Sequence, residues 1–101
     1  MNELLEKLAG GDLRSDGKAS EVADEVVANP GLLPQLAEGL DETNDLVRAR
    51  TAHALERISR KNGEMLQPFA RRLIKLAATD RVPMAKWHLA MMLGNVDLFK
   101  N

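Results

Sequence analysis

The chain has 101 residues, 45% of them apolar and 3% aromatic, with neither cysteine nor tyrosine. That length suits a single domain with a core of its own, and the missing cysteines exclude thiol catalysis, disulfide scaffolding and thiolate metal sites. The net charge of −1 conceals a split: residues 1–43 carry three Lys/Arg against ten Asp/Glu, a net of −7, while residues 44–86 carry ten against four, a net of +6.

The scarcity of aromatics favours helix over strand. Asn2 can cap a first helix running to Ala9, which Gly10-Gly11 ends. A polar loop to Gly17 leads to a second helix, about Lys18 to Ala28, with Val22, Val26 and Val27 on its apolar side. Asn29-Pro30-Gly31 breaks the chain. Leu32, Leu33, Leu36 and Leu40 then recur at helical spacing, with Pro34 set to kink or restart the first turn.

Asn44 caps a fourth helix, about Asp45 to Arg60, on which Val47, Thr51, Ala54, Leu55 and Ile58 form one stripe. Lys61-Asn62-Gly63 reads as its stop. A fifth helix begins near Glu64, is interrupted at Pro68 and continues to about Ala78, and Pro83 opens a sixth that reaches about Gly94. A tail, 96–101, carries Val96, Leu98 and Phe99. No segment reads as a strand, and the short loops imply antiparallel neighbours. The expectation is one all-α domain of three helix pairs, at about 2–28, 30–60 and 64–95.

The later pairs resemble each other. Leu33-Pro34-Gln35-Leu36 parallels Leu66-Gln67-Pro68-Phe69, and the helix at 47–58 aligns with 85–96, with small residues recurring at Ala52 and Ala90. A lone pair cannot bury its own apolar stripe, whereas stacked pairs share a continuous core. At these residues the chain resembles the HEAT-repeat family in its short prokaryotic form, whose second helix reads roughly D-x-x-V-R-x-x-A-A-x-A-L-G-x-I. Asn44, Val47, Arg48, Thr51, Ala52, Ala54, Leu55 and Ile58 follow that pattern, with Asn44, Thr51 and Glu56 substituting for the residue it prefers. Lys86, Leu89, Ala90, Leu93, Gly94 and Val96 follow it more loosely, and residues 1–29 fit as a degenerate cap. The resemblance, over about 30–96, implies an α-solenoid (HEAT-like or ARM-like) used for binding other macromolecules. It also implies that Arg48 pairs with an acidic residue of the turns, Glu42 or Asp80, in a structural role.

Two surfaces stand out. Arg50, His53, Arg57 and Arg60 share one face of the fourth helix and continue into Lys61, with Arg71, Arg72 and Lys75 as an extension. Like charges so spaced repel by a few tenths of a kcal/mol per pair, about 0.2–0.5, so something must offset them. The offset is either an acidic peptide or phosphate partner, or pairing within the chain with Asp24, Glu25 or Glu38. The sixth helix is apolar almost all round: Met84, Trp87 and Met91 lie outside its core stripe beside the polar His88, a composition suited to a partner or to self-association.

Other chemistries find no support. His53 and His88 lack metal spacing, and Asp12 to Gly17 fails as a calcium loop because Arg14 and Ala23 stand at ligand positions. Gly10-Gly11 follows no strand, as a phosphate loop would require, and no carboxylate pair sits in an apolar setting. With no apolar run near the ~20 residues of a membrane span and no signal-like opening, the expectation is a soluble cytoplasmic chain. It reads as non-enzymatic, needs no cofactor, and serves as a protein-binding scaffold. Nucleic-acid binding through residues 48–86 is the alternative, as HEAT-like DNA glycosylases cradle DNA on such a stack.

Overall fold

A computed structural model of the chain describes residues 2–9 and 18–69, together with Arg71 and Lys75. Among them the protein is all-helical, with no strand. Four α-helices occur: α1 (Glu3–Ala9), α2 (Ala19–Ala28), α3 (Leu33–Ala37) and α4 (Asp45–Asn62). The polar loop after α1, the helix expected at Pro83 and the tail all lie outside the described residues.

Local sequence accounts for most of the boundaries. Asn2 accepts from the Leu5 amide at 3.1 Å, the cap expected of it. The proline-bearing segment becomes three consecutive short pieces. A 3-10 turn at Pro30–Leu32 leads into α3, and a second 3-10 turn follows at Glu38–Asp41. Pro34 sits in the first turn of α3, where its missing N–H costs nothing, so it starts the helix anew rather than breaking it. Asn44 accepts from the Leu46 and Val47 amides at 2.9 and 3.2 Å and begins α4.

The expected stop after α4 takes a different form. Gly63 keeps right-handed helical angles, φ −61° and ψ −27°, and the chain passes into a seven-residue 3-10 stretch, Gly63–Phe69. Pro68 lies inside that stretch, so the absent donor expected to interrupt a fifth helix falls in 3-10 rather than α geometry.

Leu4, Leu5 and Leu8 of α1 are buried, as are Ala19, Val22, Ala23 and Val26 of α2. These apolar positions lie three to four residues apart and form one face of each helix. In the segment that follows, Leu33, Leu36 and Leu40 are buried and Leu32 is half-buried. The most extensive packing is between α2 and α4, and α1 packs on α2, α3 and α4. The turn Glu38–Asp41 also lies against α4. Because so many elements surround it, α4 buries far more than a single stripe. Val47, Thr51, Ala54, Leu55 and Ile58 are all buried as expected, but so are Ala49, Ala52, Glu56 and Ser59.

The tightest point is a junction of α1, the 3-10 turn and α4. A Cβ on Gly39 would lie 2.8 Å from Leu5 Cδ2 and 2.9 Å from Thr51 Cβ, and would overlap Thr51 Oγ1 outright. Only a residue without a side chain lets the turn come this close. Gly39→Ala is therefore expected to destabilise the protein by about 2 kcal/mol, the ordinary penalty of an overfilled core. Adding Thr51→Ala should recover part of the loss, because it removes the hydroxyl in the way. Urea unfolding of the two variants checks this, and a Gly39→Ala protein as stable as wild type would contradict the junction.

Candidate interaction face of the fourth helix

The basic residues of α4 divide into those turned inward and those turned out. Arg48 is held at the start of the helix. Its guanidinium donates to the carbonyls of Glu42 at 3.0 Å and Thr43 at 3.4 Å, and to Asp45 Oδ1 at 2.8 Å. The resemblance implies Glu42 or Asp80 as its acidic partner; among the described contacts Asp45 supplies a carboxylate and Glu42 a backbone carbonyl. Asp80 is outside the described residues.

Arg50 corrects the expectation of a continuous basic stripe. It is 4% exposed, and its Nη1 donates to the Leu8 carbonyl at 2.7 Å. Leu8 lies in the last turn of α1, where carbonyls lack partners within the helix. A guanidinium satisfies such an oxygen and also favours the negative end of the helix dipole. Arg50 is thus a bolt between α1 and α4 and offers no surface to a ligand. Helical spacing alone placed it beside His53 and Arg57, and only the seating of α1 reveals that it points under that helix.

The outer face holds His53 and Arg57, both half-buried, and the exposed Arg60 and Lys61. Arg60 Nη2 pairs with Glu56 Oε1, and Lys61 Nζ pairs with Asp24 Oδ1 on α2. The hydrogen bond from Lys61, its charge and the charge of Arg57 together hold the Asp24 carboxyl below its ordinary value of 3.8. Of the acidic residues named as internal partners, Asp24 therefore meets α4. Glu25 is taken instead by Lys7 at 2.9 Å, and Glu38 accepts from Asn2 Nδ2 at 2.9 Å. Lys7 is shifted up from 10.5, first by its hydrogen bond to Glu25 and then by the nearby charges of Glu25, Glu21 and Glu3.

Beyond α4, Arg71 and Lys75 are helical and exposed. Arg72, Met84, Trp87, His88 and Met91 lie outside the described residues. Among the described residues there is no group of three or more His, Cys, Asp or Glu placed to hold a metal, and no helix long and apolar enough to cross a membrane.

Sequence reasoning missed Glu56. It is 1% exposed, although it lies outside the apolar stripe read from the sequence. The only signal was its standing where the repeat pattern prefers glycine. The chain matches no family model, no curated protein and no solved structure.

Two predictions follow from these assignments. Arg50→Met should cost about 2 kcal/mol, the scale of a hydrogen bond to a charged group, and should speed amide exchange in α1. A change within about 0.5 kcal/mol would instead mark a surface residue. The lowered Asp24 carboxyl stabilises the fold above pH 3.8, and this contribution disappears as pH falls through its depressed value. The stability difference between wild type and Lys61→Met should therefore be steady near neutrality and vanish in strong acid, measured by thermal melts across the acid range. The raised Lys7 acts oppositely: its contribution is complete below pH 10.5 and fades only above it.

Proposed function

We propose that this chain is a non-enzymatic protein-binding module, a HEAT-like α-solenoid of about three antiparallel pairs that serves as a scaffold or adaptor in the cytoplasm. The observation that supports the reading is that α3 lies on α1 and α4 lies on α2, although α1 also packs on α4 and the second pair closes on itself through the turn Glu38–Asp41 rather than through α3. First helix on first and second on second is how successive pairs of a solenoid share a core. The family resemblance of 44–58 and 85–96 adds to this, and the third pair is extrapolated from it.

A stack of this kind binds through side chains left on its outer faces, and a repeat surface alone does not name its ligand. The outward set on α4 is His53, Arg57, Arg60 and Lys61, extended by Arg71. That cationic edge favours an acidic protein partner. The nucleic-acid reading draws on the same residues, but it loses Arg48 and Arg50 to internal contacts. The apolar face expected on the sixth helix, with Trp87 and Met91, is proposed as a second contact, for a partner or for another copy.

Immobilised full-length chain should capture a discrete protein from native extract, and nuclease treatment of the extract should leave that capture intact. Replacing Arg57 and Arg60 with Glu should abolish it while the circular dichroism spectrum stays helical. Capture that disappears with nuclease, together with oligonucleotide affinity falling steeply with log[salt], would replace the protein reading with the nucleic-acid one.

A further inference from the structure

The buried carboxyl group on α4 calls for an explanation that packing among the described residues does not supply. The Glu56 side chain is 2% exposed, and the Arg60 side chain paired with it is 55% exposed. Taking a carboxylate out of water is expensive, and a buried ion pair seldom stabilises more than an apolar pair of similar volume. Stability alone is thus a weak reason for a glutamate here. What the arrangement does achieve is positional. One edge of the Arg60 guanidinium is fixed from below while more than half of the side chain faces solvent.

We propose that Glu56 is a positioning residue that holds Arg60 as the anchor for a carboxylate-rich segment of a partner protein. This rests on the protein-binding reading above and specifies the chemistry of its partner. A guanidinium has five donors in a rigid fork, and the bond to Glu56 uses one of them. Fixing the side chain in advance removes part of the ordering cost that a free arginine bears on binding. Arg57 lies one turn before Arg60, and Lys61 follows it, already holding the Asp24 carboxylate of the same chain. With Arg48 and Arg50 held by internal contacts, the cations left on this edge are few, which suits one or two carboxylates of an acidic peptide better than the run of phosphates a nucleic acid presents.

The test uses the full-length chain with labelled arginine, titrated at low salt with a short peptide of alternating Glu and Ser, and in parallel with a short oligothymidylate. The peptide should shift the arginine side-chain signals of Arg60 and Arg57 before others. Arg60→Ala should weaken binding about tenfold, the effect of losing one anchor residue. Arg60→Lys should weaken it nearly as much, because lysine keeps the charge but not the fork. Glu56→Gln should weaken it several-fold while thermal stability shows the fold retained. If Glu56→Gln does not fold, the contrast between the two Arg60 variants decides in its place. Equal affinity for wild type and Glu56→Gln, equal affinity for wild type and Arg60→Lys, shifts centred elsewhere, or tighter binding of the oligonucleotide would each overturn the proposal. Failure of the peptide while capture of a protein from extract persists removes this anchor only. Loss of both removes the protein-binding reading as well.

Discussion

The described part of the protein depends on how closely its short elements approach α4. Gly39, Leu5 and Thr51 meet where the 3-10 turn and α1 converge on the long helix, and there is no room at that meeting for a single added carbon. α1 has only seven residues, and helices this short are marginal on their own, so it exists as a helix because it is seated. Its seat is fixed from both ends. Asn2 reaches the Gln35 carbonyl and the Glu38 carboxylate at one end, and Arg50 takes the Leu8 carbonyl at the other. Between them, Leu4, Leu5 and Leu8 supply the apolar contact.

That geometry sorts the charges. The opposite signs of residues 1–43 and 44–86 are compatible with an anion-binding face, with ends that attract other copies of the molecule, or with two solvated faces. The described residues do something more economical, placing acidic α2 alongside basic α4 so that Lys61 meets Asp24 across the helix boundary. Exposed pairs of this kind contribute little to stability, because solvent screens them. The inward cations behave differently. Arg48 and Arg50 donate mainly to backbone oxygens left open at turns and helix ends, a task for which five donors on one planar group are suited.

Helix positions were readable from the sequence because the signals are local. Asn2 and Asn44 act as caps, Asn29-Pro30-Gly31 ends α2, and the spacing of Val22, Val26, Leu33, Leu36 and Leu55 identifies buried faces. What escaped was set by several elements at once. A helical wheel assigns Arg50 to the surface next to His53 because it has no knowledge of α1. Glu56 and Ser59 lie outside the one stripe that the spacing defines, yet both are buried because α4 is covered from several directions. The Lys61-Asn62-Gly63 stop misled for a related reason: glycine permits a left-handed turn but does not impose one, and here the chain stays helical.

The three places where α4 departs from the repeat pattern it resembles are informative together. Asn44 replaces an aspartate and keeps the capping oxygen, so the first departure is neutral in function. Thr51 replaces an alanine and buries a hydroxyl with no hydrogen-bond partner, directly against the turn that needs Gly39. A bulkier neighbour is thereby matched to a glycine across the interface, a local solution of steric origin. Glu56 stands where the pattern prefers glycine and brings a carboxyl group into the core, where its described side-chain contact is Arg60. Two of the departures have their explanation inside the fold. The third has its counterpart on the outside, in Arg60, whose side chain is 55% exposed, so a single pair links the buried side of α4 to its solvent face.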